Sequence, residues 1–382
     1  MQYSKNIISK KPRLGTMEQK EHFHGSDLEK IEQVYGIKKE DIISFSANVN
    51  PLGISYKLKN ELASHIDAIT SYPDREYTSL RKAIAEYIDT DAADILVGNG
   101  STELISLAIQ FIHPKKACIL GPTYSEYEHE ISLSGGQIHY FALEETDDFL
   151  LNESRLCQAL TPDFDLLVLC NPNNPTSTQI HQDKMRTILE HCKKQNIFVM
   201  VDETYVEFSE EYDSVTSVPL TRCYDNLMVL RGISKFFAAP GLRLGYAICG
   251  NRSFVEKMNA FKNPWTINSL ASVAGEIMFR DDKYIRQTTE LIFSERKRIC
   301  NLLDKHKDSF KYYQPHANFI LLRSLKENVT SERLFEAAIQ KGLMIRDCSS
   351  FTFLDNHFIR FCFMKKENND ALLSVLLSQF HS

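Results

Sequence analysis

Between about residues 95 and 250 the chain repeats one pattern: a short, almost unbroken apolar run, a turn, then residues spaced for a helix. The runs fall at 117–120, 137–142, 165–170, 197–201, 227–230 and 244–249. Runs without polar alternation belong to strands covered on both faces. Between them, Leu104, Ile105, Leu107, Ala108, Phe111 and Ile112 fit a helical period of about 3.6. This alternation predicts an α/β fold, a large domain whose mostly parallel sheet is flanked by helices. After Pro264 the pattern changes. A long helical stretch passes through Glu290, Glu295, Arg296 and Arg298 to about Lys305. Two β-like runs (318–322 and 358–363) then bracket a helix near 331–340, which predicts a smaller α+β domain. The segment up to about Pro51 has no sheet of its own and is expected to pack on the smaller domain or on a partner subunit. The expected division is 52–275 for the large domain, and 1–51 with 276–382 for the small one.

Composition narrows the class. At 43% hydrophobic and 25% charged, 382 residues suffice for a sizeable core. A formal net charge of -6 argues against a nucleic-acid partner. The nine cysteines are scattered without a Cys-x-x-Cys pair, and Cys170 and Cys249 lie inside apolar runs, as expected of small buried hydrophobes in a reducing compartment. The twelve histidines show no metal-ligand grouping. No apolar run is long enough to span a bilayer. The first residues carry Lys5, Lys10, Lys11 and Arg13 without a signal peptide's apolar stretch, so they read as a short solvated tail on a cytoplasmic protein.

Chemistry concentrates where the runs end. Arg231-Gly232-Ile233-Ser234-Lys235 follows one of them, and Pro240-Gly241-Leu242-Arg243 lies just beyond. A lysine amine can form a Schiff base with an aldehyde cofactor. The phosphate of such a cofactor calls for a fixed cation, and Arg243 offers a rigid, permanently charged fork. Asp202 follows the run 197–201, at the carboxyl end of a buried strand, where ligands bind in α/β sheets. As an isolated residue it reads equally as a helix N-cap. In a pyridoxal-phosphate (PLP) site it would keep the pyridine nitrogen protonated, with Tyr205 hydrogen-bonding the ring hydroxyl. The turn Asn171-Pro172-Asn173-Asn174-Pro175-Thr176 can aim an amide at the same oxygen. Gly98-Asn99-Gly100-Ser101-Thr102-Glu103 opens a helix whose free N–H groups suit a phosphate. Its spacing matches neither of the Gly-rich mononucleotide and dinucleotide motifs. Tyr124 can stack on a flat cofactor, although alone it reads as a core tyrosine.

In this order the elements resemble the fold-type I PLP-dependent enzymes, the aspartate aminotransferase superfamily. Within it they are similar to the branch of histidinol-phosphate aminotransferases and threonine-phosphate decarboxylases, over nearly the whole chain from His24 onward. The resemblance implies that Lys235 is the Schiff-base lysine and Asp202 the pyridinium partner. It places Asn174 and Tyr205 at the ring hydroxyl, Tyr124 on the ring, and Gly100, Ser101, Thr102, Ser234 and Arg243 around the phosphate. Tyr72 matches a tyrosine that reaches the phosphate from the neighbouring subunit, which implies a homodimer with shared sites. Arg360 matches the arginine that grips the substrate carboxylate, Arg346 one that faces a substrate phosphate, and His24 and Asn48 residues near the substrate. The segment 45–53 and Arg346-Asp347-Cys348-Ser349 are similar to the decarboxylases. Four positions depart from the pattern. Gly232 stands where a serine or threonine is usual, Ser177 replaces a glycine, and Ser350 and Phe353 differ after Cys348. Two reactions stay open: decarboxylation of threonine or serine phosphate, as in cobalamin synthesis, and transamination of histidinol phosphate or an aromatic amino acid. The same residues serve both, because the outcome depends on which Cα bond stands perpendicular to the cofactor ring.

Overall fold

The computed structural model describes residues 27–380, together with Phe23 and Gly25. The basic tail and His24 lie outside the described residues. Seven strands form the larger sheet: β1 (Ile95–Gly98), β2 (Lys116–Gly121), β3 (Gln137–Ala142), β4 (Leu166–Cys170), β5 (Phe198–Asp202), β6 (Leu227–Gly232) and β7 (Gly245–Ile248). Six of them match the apolar runs. β1 was not expected: its short run ends in glycine and enters the helix Gly100–Ile112 at once, leaving too few residues to show a period.

The strand order is β1-β7-β6-β5-β4-β2-β3. Neighbours from β6 to β3 are parallel, whereas β7 runs antiparallel to both β6 and β1. Alternate residues feed two cores. Met200, Met228 and Leu230 pack with Leu104 and Ile105 of the helix Gly100–Ile112 on one face. Val199, Val201 and Val229 pack with Met185, Ile188 and Leu189 of the helix Gln182–Lys194 on the other. Each such side chain contributes about 1.5–3 kcal/mol when fully buried, so double coverage explains why the runs contain so few polar residues.

A smaller antiparallel sheet contains β8 (Phe310–Tyr312), β9 (Phe319–Ser324), β10 (Arg346–Asp347) and β11 (Phe358–Cys362), in the order β10-β11-β9-β8. The long helical stretch resolves into Ser269–Met278 and Asp282–Leu303, the second capped by Asp281, whose carboxylate accepts from the Tyr284 N–H at 3.2 Å. Ile43 and Ser44 pair in parallel with Leu343 and Met344, which docks the N-terminal segment beside the smaller sheet. Among the described residues no helix is long and apolar enough to cross a membrane.

The topology sets the site. Parallel strands bring the carboxyl ends of β1, β2, β4, β5 and β6 to one edge. Because β7 runs the other way, the residues preceding it reach that same edge. Gly98, Gly245 and Gly232 lie side by side there on β1, β7 and β6.

Candidate active site

Asp202 and Lys235 come from neighbouring strands. Asp202 closes β5 and is buried, 4% exposed. One carboxylate oxygen accepts from the Tyr127 hydroxyl at 2.7 Å; the other accepts from the Thr204 N–H at 2.9 Å and its hydroxyl at 2.6 Å. All three donors are neutral. Burial raises the carboxyl above its ordinary value, opposed by the hydrogen bonds from Thr204 and Tyr127 and by the charge on Lys235. Tyr127, in the helix Glu126–Leu133, was not singled out from the sequence. The spacing Tyr124-x-x-Tyr127 is the one signal that could have found it: three residues apart at a helix start, the two rings meet edge to face at 5.6 Å.

Lys235 follows β6, and its Nζ donates to the Ala47 carbonyl at 2.7 Å. Burial, together with the charges of Arg360 and Arg243, lowers its ammonium to about 8. Asn50 clamps the same loop. Its N–H donates to the Lys235 carbonyl at 3.0 Å, and its Nδ2 donates to the Phe236 carbonyl at 2.8 Å. Nothing in the sequence separated Asn50 from its neighbours in the Asn-rich 48–50 stretch.

The anion cradle lies where β1 meets β7. Gly100 has φ 80°, and a Cβ there would stand 2.5 Å from Arg243 Nη2, so only glycine lets the guanidinium lie over the helix start. A Cβ on Gly245 would strike the backbone of Gly100 and Ser101. Arg243, Ser101 and Thr102 are thus gathered around free helix N–H groups, and Ser234 lies in the loop after β6. Tyr124 follows β2 at the same edge, and burial pushes its phenol up to about 12.

The opposite wall comes from the smaller sheet and the N-terminal segment. Arg360 is 5% exposed; it donates to Asn174 Oδ1 and, at 2.7 Å, to the Ser46 carbonyl, with its guanidinium 5.2 Å from the Phe319 ring centre. Asn48, at φ 56°, donates to the Tyr205 hydroxyl at 3.3 Å. Burial raises the Tyr205 phenol, while Arg360 and Asn48 oppose the rise. Arg346 donates to the Phe23 carbonyl and to Ser350 Oγ at 2.9 Å. Arg346 and Arg360 are direct partners across β10 and β11. Buried Asn48 Oδ1, Ser46 Oγ and Arg360 Nε have no hydrogen-bond partner among the described residues. Such atoms cost about 1–3 kcal/mol each when left unpaired, so the chamber is built for a polar ligand.

Tyr72 stands apart from this group. It is 82% exposed and lies 5.0 Å from the Trp265 ring, in a groove of about 460 Å³ with Ile69, Pro73 and Leu270. The groove borders the cradle, because Thr266 accepts from Asn99 Nδ2 at 3.0 Å and Asn268 donates to the Leu242 carbonyl at 3.4 Å.

A PLP group fits this donor set. Its phosphate suits the Gly100 cradle, a protonated pyridine nitrogen supplies the cation that Asp202 lacks, and Lys235 is a part-buried amine with a lowered proton affinity. The family model described as aminotransferase class I and II matches residues 40–376. The chain belongs to that family. It is an enzyme of the fold-type I, PLP-dependent kind. Relatives in the family include the threonine-phosphate decarboxylase of Salmonella typhimurium, 33% identical over 353 residues and covering 92% of this chain and 95% of the relative. A protein of Caldanaerobacter subterraneus provisionally named threonine-phosphate decarboxylase is 37% identical over 330 residues, 86% of this chain and 88% of the relative. The histidinol-phosphate aminotransferase of Clostridium acetobutylicum superposes with a TM-score of 0.82 at 32% identity, covering 87% of this chain and 98% of that one.

Proposed function

We propose that the chain is a PLP-dependent decarboxylase of a small phosphorylated amino acid, with L-threonine O-3-phosphate as substrate and cytoplasmic cobalamin side-chain synthesis as its setting. The observation that carries this reading is the pairing of Arg346 with Arg360. Like charges directly opposite on a sheet destabilise it, and burial, with a smaller share from the charge of Arg360, depresses the proton affinity of Arg346. A short substrate bearing both a carboxylate and a phosphate neutralises both guanidiniums. Histidinol phosphate, which carries a phosphate ester in place of the carboxylate and no second anionic group, neutralises one. Two of the named relatives, the threonine-phosphate decarboxylases, support the same reading, and the third, a histidinol-phosphate aminotransferase, matches the alternative.

When bound, the cofactor supplies an aldehyde carbon for the substrate amine and a ring that draws electrons from the bond broken at Cα. The residues of the chain do the rest. Asp202 holds a proton at the ring nitrogen, with Tyr127 and Thr204 fixing its orientation. Arg243, Ser101, Thr102 and the N–H groups after Gly100 hold the cofactor phosphate. Asn174 and Tyr205 lie at the ring hydroxyl and Tyr124 against the ring. Arg360 takes the substrate carboxylate and Arg346 its phosphate, with Asn48 and His24 beside them. Lys235, an amine that changes charge near neutrality, takes up or delivers the proton at Cα.

We propose further that two copies share their sites. Tyr72 of each copy reaches the phosphate cradle of the other, and the exposed apolar side chains Ile66, Ile69, Tyr72 and Trp265 form part of the contact. Mixing inactive Lys235→Ala and Tyr72→Ala variants then restores activity through hybrid dimers.

The deciding experiment supplies L-threonine O-3-phosphate to the holoenzyme without a 2-oxo acid. Stoichiometric CO2 is expected. Turnover that requires a 2-oxo acid and releases no CO2 refutes the decarboxylase in favour of the aminotransferase.

A further inference from the structure

Ser177 is a fully buried serine held at φ 61°. A side-chain-bearing residue is strained in that conformation, and the surroundings show what holds it there. Its hydroxyl oxygen accepts from two successive backbone N–H groups, His316 at 3.0 Å and Ala317 at 2.8 Å. Its carbonyl also accepts from the His316 N–H at 3.0 Å, and its own N–H donates to the Asn173 carbonyl at 2.7 Å. The serine therefore joins two segments of distant origin. One is the turn that presents Asn174 after β4. The other is the lead-in to β9, held from its far side by Arg296, which donates to the Ala317 carbonyl at 2.8 Å.

These two segments hold the same side chain. Asn174 accepts from one terminal nitrogen of Arg360, and Phe319, two residues beyond Ala317, lies against the guanidinium. Asn318 between them donates to the Asn48 carbonyl at 2.9 Å. Altering the spacing between the turn and the lead-in would shift the Arg360 fork relative to Lys235.

We propose that Ser177 is a positioning residue for Arg360, its hydroxyl fixing the distance between the Asn174 turn and the β9 lead-in so that the guanidinium meets a substrate carboxylate. This rests on the reading of Arg360 as the carboxylate-binding residue. Glycine adopts φ 61° without strain, so Ser177→Gly removes the hydroxyl while keeping the turn.

Wild-type and variant holoenzymes are mixed in a stopped-flow instrument with L-threonine O-3-phosphate or its decarboxylated counterpart, 1-amino-2-propanol O-2-phosphate. Binding is read from cofactor absorbance before turnover. For Ser177→Gly the Kd of the amino acid should rise about tenfold, while that of the amine stays within about twofold. Ser177→Ala, which keeps the strained φ and loses the same bonds, should show the same selective loss with a lower Tm. Equal weakening of both ligands, or an unchanged Kd for the amino acid, overturns the proposal. Because binding precedes reaction, a wild-type enzyme that binds the amino acid without releasing CO2 refutes the decarboxylase alone, and the two Kd values still decide the role of Ser177.

Discussion

Asp202 and Glu203 are consecutive residues whose side chains turn to opposite faces of the larger sheet, and the two faces treat charge differently. On the Glu203 side, Arg231 is fully buried and spends its donors on protein. Nε and Nη2 reach one Glu203 oxygen at 3.2 and 2.9 Å, Nη2 also reaches the Thr216 hydroxyl at 2.6 Å, and Nη1 reaches the Tyr212 hydroxyl at 2.9 Å. The other Glu203 oxygen accepts from the Ser217 N–H. The weak member is Glu207, whose carboxyl burial lifts to about 7. On the Asp202 side, among the described residues, the carboxylate has only neutral donors, Lys235 has a single backbone acceptor, and atoms of Arg360, Asn48 and Ser46 lack partners. The Glu203–Arg231 pair, closed on itself, is architecture, even with Glu207 Oε2 and Ser217 Oγ beside it lacking partners among the described residues. A charge cluster left open at the carboxyl edge of a sheet is prepared for a ligand.

The contrast can be broken from either face. The largest effect is expected for Lys235→Ala, which should lower kcat by about 10³-fold or more and abolish the visible absorbance of the holoprotein, with little change in Tm. Glu203→Gln should do the reverse. It strands the buried Arg231 charge and should destabilise the protein by about 3–5 kcal/mol, measured by denaturant unfolding, whereas a joint replacement of Glu203 and Arg231 by apolar residues should restore much of that loss.

Smaller changes sharpen the comparison. Tyr127→Phe removes one of three hydrogen bonds to Asp202, so the Asp202 carboxyl should titrate higher and kcat/KM should fall about five- to tenfold at neutral pH, both followed by the pH dependence of cofactor absorbance and rate. The capture of PLP by apoprotein tests Lys235 directly. Only the neutral amine reacts, so the rate should climb with pH and level off above about 8, where an ordinary lysine would still be gaining until about 10.4. Replacing Arg360 by methionine removes a nearby positive charge and should move that midpoint upward. Least of all, Gly232→Ser should tighten cofactor binding a few-fold, on the order of 1 kcal/mol. A Cβ there meets only ordinary contacts, the nearest being Ser101 Oγ at 3.6 Å, so the new hydroxyl enters the cradle without strain.

How much of this was legible in advance follows the same division. Asp202, Lys235 and Arg243 could be read because each sits at the end or start of an apolar run, and a strand end in an α/β sheet is a place with a functional prior. Tyr127 and Asn50 could not. Their importance lies in which oxygen or carbonyl they meet, and side chains of their type occur throughout any core. Ser177 could be seen as an unusual residue for its turn, but the two N–H groups that explain it come from a segment distant in sequence. β1 escaped notice because a strand of four residues offers no period to count.

That same strand has a consequence for how the polypeptide is made. Among the described residues β1 pairs only with β7, Ile95 opposite Ile248, so on the ribosome it emerges early and waits for the rest of its sheet to be synthesised. Until then it presents an unsatisfied backbone edge, open to the strands of other nascent chains. Messages cut short before codon 245 should therefore yield aggregating products, and the coenzyme, whose phosphate seat forms where these two strands join, can bind firmly only after that late insertion.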